Sequence, residues 1–409
     1  MHVLYFHQHF STPQGSAGTR SYEMAQALLR RGCRVTMVCG SYAQGRTGLT
    51  GPFQRGRRRG MVDGIEVIEF ELDYANSMGV LRRMAVFAKF ALGSTGIALR
   101  TPADVVFATS TPLTAGIPGI VARWVRRRPF VFEVRDLWPE LPRAMGMRNP
   151  VLLAAMSVLE WLSYRSADRL VGLSPGIVEG IARRGVAPDR IAMVPNGCDL
   201  EIFAQPAAPW RPEGVGPGRM LAVFSGTHGL ANGLDAVLDA AAVLKARGRD
   251  DIRIALVGQG REKPRLMQRA RDEGLEAVLF LDPVPKTRLS GLLAGADLGL
   301  QTLRNVPAFY YGTSPNKFFD YIAAGLPVLN NYPGWLAELI TAQDCGFAVP
   351  PDDPAAFAAA LIAAADDRAA LRAKGRAARA LAEQRFARAD LARDWVDWVL
   401  QAAGPARRG

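Results

Sequence analysis

Ser314-Pro-Asn-Lys317-Phe-Phe-Asp320-Tyr-Ile-Ala-Ala-Gly325-Leu-Pro-Val-Leu-Asn-Asn331 runs a polar loop, a short helix and the start of a buried strand together in one stretch. Ser314 is placed as helix cap and Pro315 as first helical residue, which leaves the unpaired N–H groups of the first turn free to face an anion. Lys317 and Asp320 stand three apart and share a face. There a Lys meets a diphosphate, while an acceptor-only Asp takes the two hydroxyls of a ribose. Gly325 ends the helix, and Pro327 prevents its continuation into Val328 and Leu329. An amphipathic helix with a solvated Lys and Asp would carry the same spacing, so the weight falls on what accompanies it.

Outward from this stretch the chain alternates strand-like and helix-like segments. In the first half the strands are read at Val3–Phe6, Arg34–Cys39, Ile65–Phe70, Val105–Ala108, Pro129–Val134, Leu170–Leu173 and Ile191–Val194. In the second they are read at Leu221–Ser225, Ile252–Val257, Val278–Leu281, Leu298–Gln301, Val328–Asn330 and Phe347–Val349. Short apolar runs separated by helical patterns mean parallel, doubly wound sheets, hence an α/β protein of two Rossmann-like domains. We place the domains at 1–200 and 201–385, with Pro195-Asn-Gly197 and the Pro/Gly-rich 205–218 as linker. A terminal segment, 386–409, carries Trp395 and Trp398 on one heavy apolar face, expected to pack back on the first domain.

Composition bounds the partners. The chain has 409 residues, 49% hydrophobic, with a formal charge of +12, of which residues 1–205 supply +9. The basic clusters are Arg55 with Arg57–Arg59, Arg82 with Arg83, and Arg126–Arg128, and such clusters suit an anionic surface. They are not interleaved with aromatics, which argues against nucleic acid. Residues 78–100 are apolar but punctuated by cations. That pattern fits a helix in a bilayer interface, or a core helix whose Arg residues snorkel at its ends. No apolar run reaches the ~18 residues of a spanning helix, and the opening Met1-His-Val-Leu-Tyr-Phe6 is strand-like, so no secretory leader is expected. The four cysteines form no metal or disulfide framework, which suits a cytoplasmic protein. His7 and His9 are expected to be hydrogen-bonded strand-end residues, and no metal is expected.

Open parallel sheets bind ligands beyond the carboxyl ends of their strands. After the first strand comes the glycine turn 14–20, with Gly18 close to the helix that follows. After Leu221–Ser225 comes Gly226-Thr227-His228-Gly229-Leu-Ala-Asn232-Gly233, and after Ile252–Val257 comes Gly258-Gln-Gly260-Arg-Glu-Lys263. The fourth place is Glu133-Val-Arg135-Asp136-Leu-Trp-Pro-Glu140, with more charge than a turn requires. Asp136 is the candidate to orient an acceptor hydroxyl or draw its proton. Glu133 is expected to pair with Arg135 or to hold the loop.

Together these motifs resemble the retaining glycosyltransferases of the GT-B fold, family 4 type, including bacterial colanic-acid, O-antigen and fucosamine transferases. The resemblance runs over essentially the whole chain. It implies two domains facing across a cleft, with the acceptor on the first and a nucleotide-sugar on the second. It implies that Asp320 takes the ribose and that Lys317, with the backbone of Thr313, Ser314 and Asn316, holds the diphosphate. Pro283 and Val284, within 280–284, would line the base, and Gly18 would approach the donor. Gly226, Thr227, Asn232, Gly258, Gly260 and Lys263 complete the implied donor site, with Asp136, Glu133 and Lys317 as catalytic candidates. Many members carry Arg and Lys where this chain has Thr227 and Asn232, and Glu where it has Gly312. The first difference shifts neutralisation of the leaving group to Lys317 and Lys263.

The implied activity is transfer of a HexNAc or deoxy-HexNAc from a UDP-sugar to a polyprenyl-diphosphate-linked saccharide. It would proceed without cofactor or metal, at the inner face of the cell membrane. The alternatives are a nucleotide-sugar epimerase or hydrolase of the same architecture, and a non-catalytic membrane-bound partner in polysaccharide assembly.

Overall fold

The structure is a computed structural model and describes residues 1–15, 18–43, 45–75 and 78–404. Two compact units emerge. The first comprises 1–195, Gly312–Ser314 and the chain from Ala389, and the second comprises Asn196–Tyr311 and Pro315–Arg388.

The first unit runs β1 (His2–Phe6), α1 (Arg20–Arg30), β2 (Arg34–Gly40), β3 (Arg57–Val62), β4 (Ile65–Phe70), α2 (Val80–Arg100) and β5 (Val105–Thr109). It continues with α3 (Ile117–Arg126), β6 (Phe130–Val134), α4 (Glu140–Ala144), α5 (Pro150–Ser166), β7 (Arg169–Gly172), α6 (Pro175–Arg183) and β8 (Ile191–Met193). Its eight strands lie in the order β3-β4-β2-β1-β5-β6-β7-β8. Order reverses between β1 and β5, so the ligand crevice of this sheet lies beyond Phe6 and Thr109. The central strands β1, β5 and β6 are buried along their whole length, as strands covered by helices on both faces must be.

Sequence reading missed one strand. β3 pairs antiparallel with β4 at the sheet edge, where a row of arginines had suggested a free basic patch. Instead Arg58 pairs with Glu69 at 2.7 Å, and Arg59 pairs with Glu66. Alternation explains it, since opposite charges on facing strands stabilise the pair and a charged edge resists further pairing. Two of the four arginines of that cluster are thus already neutralised.

On one face of this sheet the last helix, α15 (Arg388–Gln401), brings in Trp395, fully buried and stacked 6.0 Å from Tyr5 and edge-on to Phe107 at 4.8 Å. Trp398 donates its indole N–H to the Leu170 carbonyl at 3.0 Å. The opposite face carries α2, α3 and α5.

The second unit runs α7 (Leu200–Ala204), β9 (Met220–Ser225), α8 (Asp235–Ala246), β10 (Ile252–Val257), α9 (Lys263–Asp272), β11 (Val278–Leu281), α10 (Lys286–Gly295) and β12 (Leu298–Gln301). Then follow α11 (Asn316–Ala323), β13 (Val328–Asn330), α12 (Trp335–Ala342), β14 (Gly346–Ala348), α13 (Pro354–Asp366) and α14 (Arg368–Arg385). Its six strands are all parallel, ordered β11-β10-β9-β12-β13-β14, with the reversal between β9 and β12. The core fills with Ala222, Phe224, Leu238, Ile254, Leu256, Leu298 and Leu329.

Glu133 is not beside Arg135. Its carboxylate is fully buried, meets Arg20 of α1 at 2.7 Å and accepts the Thr109 hydroxyl at 2.8 Å. Arg20 also donates to the carbonyls of Val194 and Pro195. Breaking such a pair strands the other charge in the core, at about 3–5 kcal/mol. Glu133→Ala therefore lowers unfolding stability by that order in urea titration. A variant that kept full stability and lost only turnover would return Glu133 to the chemistry.

Candidate active site

The two sheet reversals give each unit one edge where polar groups converge. In the second unit the edge is built by the loop after β9, the loop after β10 and the start of α11. The two glycine loops touch: a Cβ at Gly258 (φ 151°) would lie 1.8 Å from the Gly226 carbonyl oxygen, and one at Gly260 would lie 2.3 Å from the His228 carbonyl oxygen. Only glycine permits that approach, and Gly226, Gly258 and Gly260 therefore shape the loop pair. Asn232 closes the first loop by donating to the Thr227 carbonyl at 2.7 Å.

Lys317 lies across this loop. Its stem passes over Gly226, its ammonium donates to Asn232 Oδ1 at 2.6 Å, and it stands 4.7 Å from the centre of the Phe224 ring. None of these partners is anionic, and burial pulls Lys317 down to about 7. Asp320, one turn on, faces elsewhere, towards Lys286 of α10 at 3.0 Å. Burial raises its carboxyl while Lys286 opposes the rise. Lys286 in turn meets Asp199, which Arg388 also holds. Despite its burial, these two cations keep Asp199 at about 2. Sequence reading missed Lys286, Asp199 and Arg388 as a set, because they are far apart in the chain and no spacing rule joins them.

Other expectations change. The cap of α11 is Pro315, with no side-chain cap bond, and the helix begins at Asn316. Gly325, at φ 70°, follows its end. Thr313 and Ser314 cluster with the first unit. Lys263 is not available to an anion: its ammonium is spent on the carbonyls of Gly258 and Leu281 and on Asp282 at 2.8 Å. Pro283 is exposed and Val284 half-buried just beyond β11, while Thr227 is exposed on the first loop. A cavity of about 390 Å³ opens on this edge between Gly229, Asp235, Arg265, Arg304, Asn331 and Phe357, and neither Lys317 nor Asp320 lines it.

In the first unit Asp136 follows β6, half-buried, accepting from Thr111 Oγ1 at 3.2 Å. Burial raises its carboxyl, against the pull of Arg135 and Thr111. That direction suits a group that takes a proton. Gly18 is exposed ahead of α1, and Ser16 and Ala17 of its turn lie outside the described residues. Among the described residues no group of three His, Cys, Asp or Glu side chains is placed to hold a metal.

Residues 15–197 match the family described as "Glycosyl transferase 4-like domain", and 219–367 match "Glycosyl transferases group 1". The chain belongs to the family 4 type glycosyltransferases. Its fold is of the GT-B class. Glycogen synthase of Mycobacterium tuberculosis is 29% identical over 244 residues, covering 59% of this chain and 56% of that protein. D-inositol 3-phosphate glycosyltransferase of Nocardia farcinica is 33% identical over 201 residues, covering 47% and 43%. The chain thus spans about half the length of the curated relatives it matches. Among solved structures, WaaG, a glycosyltransferase involved in lipopolysaccharide biosynthesis, aligns over 100% of both chains with TM-score 0.68 at 18% identity. Anabaena Alr3699/HepE in complex with UDP aligns over 98% of this chain and 100% of its own, with TM-score 0.66 at 18% identity.

In this chain Lys317 sets a pH signature. Its native value near 7 lies below the unfolded ~10.4, so its burial costs stability fully below pH 7, and that cost is relieved as pH rises towards about 10. An anion beside it raises its value. Nucleotide affinity should therefore hold up to about pH 7 and then fall by as much as about tenfold per unit, and Lys317→Met should flatten the profile. Isothermal titration with UDP between acid and alkaline pH checks this.

Proposed function

We propose that this enzyme moves a HexNAc or deoxy-HexNAc from a UDP-sugar, with retention, to a polyprenyl-diphosphate-linked saccharide at the inner face of the cell membrane. The observation that carries the donor half is Lys317: a half-buried cation without an anionic partner among the described residues, at the sheet reversal of the second unit, at the start of a helix. A diphosphate supplies the missing charge, and the first-turn N–H groups of α11 add to it. As the anomeric bond breaks, negative charge grows on the leaving diphosphate. Fixed dipoles and an ammonium stabilise it there, so the transfer is proposed to need no metal and to survive EDTA. Asp320 is offered the ribose hydroxyls through Oδ2, with Lys286 holding the other oxygen. UDP is favoured because a neighbouring fold was solved with UDP and UDP-glucose. Asp136 is assigned the acceptor hydroxyl.

The membrane half rests on a surface. Helix α2 packs on α3 and α3 on α5, and their outer sides expose Leu81, Leu92, Trp124, Val151, Val158 and Trp161. The only carboxylate on these three helices, Glu160, is buried and paired with Arg184 at 2.8 Å. Arg82, which also meets Asp73, and Lys89, Arg126 and Arg165 stand on the same three helices, a combination that suits an anionic bilayer. Residues 78–100 thus contribute both a buried side, through Phe90, and an exposed one. Among the described residues no helix is long and apolar enough to cross a membrane.

A thermal-shift comparison of UDP, GDP, ADP and dTDP should give the largest shift with UDP. Lys317→Ala and Asp320→Ala should each weaken it by about 10- to 100-fold in affinity, the worth of a charge-assisted contact. Asp136→Asn should keep the UDP shift and lose transfer by about 100-fold or more. Equal, negligible shifts for all four nucleotides would retire the donor site. In flotation assays the protein should rise with phosphatidylglycerol vesicles and not with phosphatidylcholine alone. Arg82→Gln with Arg126→Gln should cut partitioning roughly 30-fold; equal flotation on both lipids would defeat the electrostatic reading.

A further inference from the structure

One guanidinium joins the loop that carries Asp136 to the inner side of a long helix. Arg184, just beyond α6, donates to Glu140 Oε1 at 2.9 Å and meets Glu160 Oε2 at 2.8 Å. Glu140 opens α4, where the 135–139 loop ends, and its side chain is about half in solvent. Glu160 belongs to α5 and is 1% exposed, with its other oxygen accepting the Tyr164 hydroxyl at 3.2 Å. A buried charge is costly to leave unpaired, whereas an exposed pair such as Arg184 with Glu140 has little worth alone. The bridge therefore draws its strength from its buried end.

The loop is fixed on two sides. Towards β5, the Arg135 N–H donates to Ser110 Oγ at 2.9 Å, and the Thr111 hydroxyl donates to Asp136 Oδ2 at 3.2 Å. Towards the helices, Leu137 lies against Gly180 of α6, where a Cβ would come within 2.5 Å of its Cδ1. Trp138 packs on the same core as Met156 and Leu159 of α5. Among the described residues, the pair of Glu140 with Arg184 is the one ion pair made by 135–140. The outer side of α5 exposes Val151, Val158 and Trp161, so the bridge ties the Asp136 loop to the helix assigned above to the bilayer.

We propose that Arg184 is a positioning residue for the transfer: it clamps the Asp136 loop to Glu160, and the loop loosens when Glu160 takes a proton. The inference rests on the assignment of Asp136 above and adds what holds that residue in place. Burial, with Glu140 adding to it, pushes Glu160 up to about 7, against the pull of Arg184 and the Tyr164 hydroxyl. Above that value Glu160 is charged and keeps Arg184 between two carboxylates. Below it Glu160 is neutral, and Arg184 and Glu140 are left as a surface pair. The other charges nearby are engaged elsewhere: Arg123 of α3 on Asp168, Glu133 of β6 on Arg20, and Glu179 with Arg183 on α6.

The chain has seven tryptophans, and labelling with 5-fluorotryptophan makes Trp138 a reporter of the loop, assigned with Trp138→Phe. Between about pH 5 and 9 its fluorine signal should follow one midpoint near 7, and still do so in Asp136→Asn, while Trp395 of α15 stays in place. In Glu160→Gln the midpoint should vanish and the signal should stand at its low-pH position throughout, as it should in Arg184→Gln. Both variants should lower kcat for transfer by about 10- to 100-fold, as a misplaced catalytic group does, with the UDP thermal shift retained. A Trp138 signal that does not titrate, or titrates alike in Glu160→Gln, would overturn the clamp, and so would an unchanged kcat in Arg184→Gln. Should Glu160→Gln fail to fold, Glu140→Gln, changed at the exposed end, is expected to hold Trp138 at the low-pH position; a signal still titrating there would overturn the clamp equally. Undiminished transfer by Asp136→Asn, with the Trp138 titration intact, would instead defeat the reading of Asp136 and the positioning role with it.

Discussion

A charge removed from water must be met by an opposite charge or by hydrogen bonds, at a penalty of several kcal/mol per ion if it is not. This constraint organises both units. In the first, Arg20 of α1 is locked against Glu133 of β6 and the carbonyls of Val194 and Pro195, so one guanidinium joins a helix, a central strand and the chain's exit from the unit. In the second, Lys286 stands between Asp199 and Asp320, with Arg388 on Asp199. Arg388, the last residue of the unit, also donates to the Gly197 carbonyl near its first.

Against these satisfied charges the unsatisfied groups stand out. Lys317 has a neutral amide and a ring for company, and His7 Nδ1 and the Gln8 side-chain amide have no hydrogen-bond partner among the described residues. Both lie where strand order reverses in their sheet, the place an open parallel sheet leaves uncovered. Paired charges thus fix the backbone of both units, while the ammonium of Lys317 has only neutral neighbours.

Several expected roles changed because side chains have limited capacity. Lys263 was a reasonable cation for a diphosphate until its three donors were found occupied by two carbonyls and Asp282. Glu133 and Arg135 stand two apart, but β6 ends at Val134, and Glu133, still within the strand, finds Arg20 across 113 residues. The arginines of 55–59 read as a free patch because β3 has no apolar alternation to announce it. His7 and His9 follow β1, which ends at Phe6; the His9 ring has the Thr111 backbone and the Tyr42 and Tyr74 rings beside it, while His7 Nδ1 has no hydrogen-bond partner among the described residues.

The amino-acid sequence by itself determined the α/β class, nearly every parallel strand, the glycine loops and the helix bearing Lys317 and Asp320. These follow from local periodicity, turn chemistry and capping, all of which act within a few residues. Only the tertiary structure decided which charges are spent and which are free, since pairing such as Lys286 with Asp199 and Asp320 depends on elements brought together from far along the chain. It also decided that His7 and Gln8 are buried beyond the end of β1, because burial belongs to packing and is written in no single stretch of sequence.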